Sequence, residues 1–284
     1  MGNSSLYEKE GLYSVVLNTA LFIAKYIVGT FTGSVAIIAD GWHSMSDSLS
    51  SVVVFIGSKI SGAPPDKKHP YGHGRVEAIA SVIVSMILFT VAYEFIRKAI
   101  ERLLAYERAD FGPAAYIITI ISIIMKELLT LYARRIYKKT GSQMMKAEAM
   151  HHRSDSLSSV VVLAGILSSR IFWWIDGVLC ILISIMIAYS AFVIIRDTVS
   201  SLIGEAPEDN EIDNIKMLIR NAAGQDLSSH HFHVHDYGDH KELTFHIKLN
   251  GNTTLNQTHC ITEKIEKEIR DETGYDVTIH PENE

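Results

Sequence analysis

Up to about residue 203 the chain consists mostly of long apolar stretches; beyond that it becomes polar and acidic, with few runs of more than five apolar residues. A bilayer core takes about 20 mostly apolar residues in a helix. Six stretches reach spanning length: 11–32, 35–61, 77–100, 112–136, 145–170 and 173–199. A soluble α-helical protein rarely carries that many, so the pattern predicts an α-helical membrane domain with six transmembrane helices over 1–205. The period then changes. EDNEIDNIKMLIRNAA sets Ile212, Ile215, Leu218 and Ile219 at helical spacing. HHFHVHDYG alternates, and so does ELTFHIKL, with Leu243, Phe245, Ile247 and Leu249 on one face. Gly238 and Asp239 suit the turn between these strands. THCITEKIEKEIRDETG is amphipathic and DVTIH is a short strand. Helix, strand, strand, helix, strand predicts a small two-layer α+β domain over 206–284.

Within the apolar region a single phrase occurs twice. Residues 43–57 read HSMSDSLSSVVVFIG and residues 151–165 read HHRSDSLSSVVVLAG. His43 and Asp47 are four apart, as are His151 and Asp155, and positions i and i+4 share a helix face. Each phrase therefore presents one imidazole beside one carboxylate. Two such helices supply four ligands, a tetrahedral N/O set that Zn2+ accepts. At 1.5 Å per residue both pairs approach the midplane of a core about 30 Å thick. Ionisable groups at that depth are costly unless paired, hydrated or metal-bound. The Ser-Leu-Ser-Ser segments suit close helix packing, but packing does not call for two His and two Asp in register. The repeats lie on the second and fifth stretches, three crossings apart, so the two helices cross in opposite directions, as in an inverted-repeat transporter. Asp40, three residues before His43, is either an outer partner orienting His43 or an alternative ligand. Glu148 has the parallel position before His151, and His152 points about 100° away from His151.

Charge refines this picture. Lys67, Lys68 and Arg75 follow the second stretch, and Arg134, Arg135, Lys138 and Lys139 follow the fourth. Lys/Arg-rich short loops face the cytoplasm. The loop after the third stretch dissents, with Arg97, Lys98, Arg102 and Arg108. Trp173 and Trp174 suit an outer interface. The balance predicts a multi-pass protein of the cell (inner) membrane, with both termini cytoplasmic. A net charge of −6 over 284 residues argues against nucleic-acid binding. Cys180 and Cys260 are too distant to suggest a disulfide framework. MGNSSLYEKEG has no basic segment leading into a short apolar core, so no signal peptide is expected. No HExxH occurs, and a four-ligand set leaves no zinc position for a catalytic water, so an enzyme is not expected.

GSVAIIADGWHSMSD, HPYGHGRVEAIA and AEAMHHRSDSLSS resemble the cation diffusion facilitator family of divalent-metal transporters, and the resemblance runs over nearly the whole chain. It implies six spans, a cytoplasmic metallochaperone-like, ferredoxin-like domain, a homodimer, and exchange of metal for protons. His43, Asp47, His151 and Asp155 match the family's intramembrane site. A His-Asp plus His-Asp set goes with zinc in that family, and all-oxygen sets with manganese. Donor chemistry agrees, since imidazole suits zinc and similar borderline metals; cadmium, cobalt and iron(II) are the alternatives. Protons compete with metal for the same ligands, which accounts for antiport; a membrane metal sensor that does not transport is the rival of a different class. The resemblance also matches Asp66, His69 and His73 to a loop metal site; the bland reading is a solvated loop whose Pro-Tyr-Gly turn docks onto the membrane face. It matches His230, His246, His259, His280 and Glu282 to cytoplasmic zinc sites that would regulate the dimer. His231 or His233 is an alternative to His230, because His231, His233 and His235 share one strand face. Cys260, beside His259, is a further possible ligand. Arg75 matches a basic position that pairs across the dimer, but Gly204 holds the acidic partner's place and Glu205 follows it. Zinc is thus expected as cargo and regulator, with no organic cofactor.

Overall fold

A computed structural model of the chain describes residues 3–61, 65–169, 171–238 and 240–283. Six long helices come first: α1 Asn3–Thr32, α2 Val35–Ser61, α3 Arg75–Leu104, α4 Pro113–Thr140, α5 Gln143–Ser168 and α6 Ile175–Ile203. Then follow α7 Asp209–Ala223, β1 Ser229–Asp236, β2 Lys241–Leu249, α8 Leu255–Thr273 and β3 Asp276–Asn283. The chain forms two compact units: Met1–Val54 with Ile83–Ile195, and Phe55–Val82 with Arg196–Glu284.

The ends of the long helices follow local chemistry. Pro113 stands at the start of α4, where its missing N–H costs nothing. The helix closes on Gly141, left-handed at φ 69°, whose N–H donates to the Tyr137 carbonyl. The Ser142 hydroxyl then accepts from the Met145 N–H and starts α5. Helix α1 begins eight residues before the predicted apolar stretch, which brings Glu10 into the helix. Helices α3, α4 and α6 each end four residues past their apolar stretches, as helices do that outreach the hydrocarbon core.

The first unit mixes a buried aliphatic cluster, including Leu88, Ile166 and Ile187, with many small and hydroxylic residues. Small and hydroxylic side chains lie inside, among them Ala36, Ala39, Ala92, Ser122, Ser159 and Ser184, while Ile23, Ile83, Met86, Ile121, Ile124 and Leu128 point outward. That is the arrangement expected where lipid is the solvent and helices attract each other by close packing. The Ser122 and Ser159 hydroxyls meet at 3.4 Å between α4 and α5, so the repeated serines do serve helix contact. At one end Asp176 of α6 caps α2. It accepts from the Val35 and Ala36 N–H groups and the Ser34 hydroxyl, and Arg102 of α3 pairs with it at 3.2 Å. By length and apolarity alone α1, α3, α4 and α6 qualify as spans. The other two long helices, α2 and α5, are the ones carrying the repeated phrase, and their polar residues lower their hydropathy.

The second unit holds a three-stranded sheet ordered β1-β2-β3, with β1–β2 antiparallel and β2–β3 parallel. Leu243, Phe245, Ile247 and Leu249 are all buried, under Ile215, Leu218 and Ile219 of α7 and Ile265 and Ile269 of α8. Helix α8 opens with a capping box between Thr254 and Gln257. The turn expected at Asp239 lies outside the described residues. Strand β1 departs from simple alternation. A bulge falls between His230 and His233, and His231 adopts φ 54°. Such an insertion lets neighbouring residues address one face. The predicted single face for His231, His233 and His235 is therefore interrupted at the first of them.

Candidate metal centre

Helices α2 and α5 bring the two phrases together crosswise, each histidine facing the other helix's aspartate. His43 Nε2 is 3.5 Å from Asp155 Oδ1, and His151 Nε2 is 3.7 Å from Asp47 Oδ1 and 3.7 Å from Asp155 Oδ2. Crosswise pairing is what antiparallel helices produce from two identical i, i+4 pairs. Donor atoms of His43, Asp47 and Asp155 lie within 4.8 Å of one another. A tetrahedral zinc with bonds of about 2.0–2.1 Å spans donor-to-donor edges of ~3.4 Å. The three His–Asp distances are within tenths of an ångström of that edge, while His151 stands outside the mutual grouping of His43, Asp47 and Asp155. His43 and Asp155 are buried, whereas the His151 side chain is 50% exposed. A cavity of about 360 Å3 is lined by Asp47 and His151 together with Ser14, Ser46, Glu148 and His152, so the set is accessible from one side.

Two residues absent from the sequence reading complete the electrostatics. Lys126 of α4 is 1% exposed, with Nζ 2.8 Å from Asp155 Oδ2 and 3.3 Å from Asp47 Oδ2. Its ammonium bridges the carboxylates of both phrases. Lys25 of α1, fully buried, pairs with Asp40 at 2.7 Å and reaches the Ser44 hydroxyl. Asp40 is therefore engaged by Lys25, not by His43, and neither of its predicted roles is seen. His152 and Glu148 also leave the quartet: His152 Nε2 meets Glu10 Oε1 at 3.1 Å and Glu148 Oε2 at 3.9 Å. The available signal was a lone lysine inside each of two apolar runs, LFIAKYIVG and SIIMKELLT. A cation at such depth implies a carboxylate partner.

The loop residues converge as well. Asp66 lies 3.5 Å from His69 and 3.5 Å from His73, and it accepts from the Lys68 and His69 N–H groups. Those two backbone bonds, His69 first, hold its carboxyl below the usual aspartate range. The loop is also docked: Tyr71 stacks on Tyr237 at 4.8 Å, and Arg75 lies over the Tyr237 ring and donates to the Asp236 carbonyl. The turn thus packs on Tyr237 beside the β1–β2 pair, whereas the bland reading expected it against the membrane face. Arg75 is engaged within its own chain, and Glu205 is exposed.

In the α+β unit the His230 and His231 rings are 4.8 Å apart and lie 5.4 and 5.1 Å from His246. His280 of β3 lies against His246 with ring centres 4.7 Å apart, and Glu282 meets His246 at 2.7 Å and His230 at 3.3 Å. His231 thus joins this cluster alongside His230 rather than replacing it, because of the bulge. His233 does not join it, and His259 and Cys260 are exposed on α8 outside the ligand groups found among the described residues. The hydrogen bond with His246 holds the Glu282 carboxyl below the usual glutamate range. A carboxylate with a lowered folded value contributes stability above the ordinary range and loses it as pH falls through the lowered value. Glu282 should therefore keep its histidine contacts through mildly acidic pH. A carbon-detected NMR titration should place Glu282 below the ordinary glutamate range, and His246→Ala should return it to that range; an unchanged midpoint in that variant would exclude His246 as the cause.

Comparison with known proteins accounts for both the apolar and the polar regions of the chain. The cation efflux transmembrane domain matches residues 11–203, and the cation efflux protein cytoplasmic domain matches residues 207–284. An uncharacterized transporter of Methanocaldococcus jannaschii is 35% identical, over 92% of this chain and 93% of its own. The cation-efflux pump FieF of Shewanella oneidensis is 28% identical, over 88% of this chain and 84% of its own. The manganese efflux system protein MneS of Bacillus subtilis is 27% identical, over 97% of this chain and 95% of its own. With both family domains matched in order and a relative of this identity along its length, the chain belongs to the cation diffusion facilitator family of cation-efflux transporters.

Proposed function

We propose that this protein exports divalent metal, zinc foremost, from the cytoplasm in exchange for protons by alternating access. The observation that carries the proposal is the crosswise approach of His43, Asp47, His151 and Asp155, with each histidine 3.5–3.7 Å from the other helix's aspartate. Two imidazoles and two carboxylates suit zinc better than manganese, which prefers oxygen donors. The relative named for manganese efflux makes manganese the most pointed competitor. Iron(II), cadmium and cobalt accept similar donors.

Metal binding needs neutral imidazoles and ionised carboxylates, so protons and metal exclude each other at the same atoms. Lys126 adds a second competitor. Its ammonium lies against both carboxylates, so a metal ion takes them over by displacing it, and metal release lets it return. The carrier then never exposes two uncompensated carboxylates to the membrane interior. The membrane domain occupies 1–205 and a cytoplasmic regulatory and dimerisation domain occupies 206–284. The protein is a homodimer in the cell (inner) membrane with both termini cytoplasmic. The Asp66/His69/His73 group and the His230/His231/His246/His280/Glu282 group are its zinc-responsive sites.

The test is a flux panel in proteoliposomes with Zn2+, Cd2+, Fe2+, Co2+ and Mn2+, with and without a pH gradient. Zinc should be carried fastest, and the gradient should accelerate it. Zinc uptake that is indifferent to the gradient would overturn proton coupling. Faster manganese than zinc would overturn the metal assignment, and no flux at all would favour a sensor.

A further inference from the structure

The first unit contains a second ligand group beside the quartet. Glu10 of α1 and Glu148 and His152 of α5 place donor atoms within 4.8 Å of one another. Glu10 is 2% and His152 1% exposed. Glu148 is half-buried and lines the same cavity as Asp47 and His151. One turn of α5, three residues or about 4.5 Å of rise, separates Glu148 from His151 in the direction of the α5 N-terminus.

Charge compensation sets this group apart. The other buried carboxylates of the unit have fixed cations: Lys25 for Asp40, Lys126 for Asp155, with Asp47 also against it, and Arg102 for Asp176. Among the described residues no lysine or arginine pairs with Glu10 or Glu148; both rely on one shared imidazole. His152 Nδ1 is buried and has no hydrogen-bond partner among them. A neutral imidazole does not offset two carboxylates, and even an imidazolium leaves one negative charge in a low-dielectric setting, where unpaired charge costs several kcal/mol. A divalent cation balances the pair.

We infer that Glu10, Glu148 and His152 form a second divalent-cation site, which captures metal from the cytoplasm one helical turn before the quartet. The inference rests on the reading of the quartet as the transport site. One nitrogen and two oxygens suit zinc and iron(II), and discriminate less against manganese than the quartet does. The open Glu148 side admits the ion. The fixed cation is absent here and present at the quartet, so metal meets no ammonium competitor at the first stop and one at the second.

The experiment is equilibrium dialysis of zinc against the full-length chain in lipid nanodiscs. Four proteins are compared: the parent, Glu10→Gln with His152→Gln, Asp47→Asn with Asp155→Asn, and all four changes together. Each double variant should bind one zinc fewer per chain, and the combined variant two fewer. An undiminished count in the Glu10/His152 variant overturns the second site. An undiminished count in the Asp47/Asp155 variant overturns the quartet instead, so the two failures are distinct. If the Glu10/His152 variant also loses the quartet zinc through misfolding, Glu148→Gln decides. That half-buried change should weaken one class of zinc site about tenfold, and unaltered affinities would overturn the inference.

Discussion

Replacing Asp155 with asparagine is expected to abolish zinc uptake in proteoliposomes while leaving the folded protein intact. The amide keeps the carboxylate's shape but brings an N–H donor and no charge to a position shared by three groups. Asp155 lies 3.5 Å from His43, 3.7 Å from His151 and 2.8 Å from Lys126, so it is the hub of the quartet. Loss of a charged ligand from a four-ligand set should weaken metal binding by about 100-fold or more, roughly 3 kcal/mol. A monodisperse variant at parental yield would separate this effect from collapse of the fold. Parental flux from such a variant would remove Asp155 from the transport site.

Replacing Lys126 with methionine should have the second large effect, with a signature unlike that of a lost ligand. Methionine fills most of the volume but leaves Asp47 and Asp155 without their cation. Removing one partner of a buried ion pair costs about 3–5 kcal/mol, so the metal-free protein should lose stability. Metal, freed from its ammonium competitor, should bind more tightly. The rise in melting temperature on adding zinc should therefore be larger in Lys126→Met than in the parent. Flux should fall, because metal leaves slowly and the empty carrier crosses with two uncompensated carboxylates. An equal zinc-induced rise in both proteins would mean that Lys126 does not compete with metal and serves only to hold α4 against its neighbours.

The features legible in the sequence were those with a period. Stretches of spanning length marked the six helices, with α2 predicted to its ends at 35–61, and alternation marked Leu243, Phe245, Ile247 and Leu249 as the sheet's inner face. Spacing of four put His beside Asp on each helix, and antiparallel crossing made the pairs complementary. Contacts between helices of unrelated sequence were not legible. Nothing in α1 says that Glu10 meets His152 or that Lys25 meets Asp40, and nothing in α4 says which carboxylates Lys126 bridges. Those pairings depend on helix rotation and depth, which packing of small residues decides. Both lysines lie inside helices, not in the loops that carry the orientation signal, and a lone cation inside an apolar run is itself the mark of a buried partner. In the α+β unit a single bulge, with His231 at φ 54°, changed which histidines meet. Perfect alternation along β1 would have kept His230 and His231 on opposite faces.

The repeated phrase also explains why α2 and α5 fall short of the apolarity of the other long helices. Ser44, Ser46 and Ser48 of α2 and Ser156 and Ser159 of α5 are buried, and the His and Asp of one phrase face those of the other. The same residues that weaken the hydropathy signal therefore build the candidate site.

The central claim is that the transported metal binds among His43, Asp47, His151 and Asp155. The most direct test is a zinc-soaked structure of the full chain with anomalous diffraction at the zinc edge. The account predicts a peak about 2.0–2.2 Å from a nitrogen of each histidine and an oxygen of each aspartate, with the Lys126 ammonium withdrawn from both carboxylates. A structure with zinc bound elsewhere in the chain, and Lys126 still bridging Asp47 and Asp155, would contradict it.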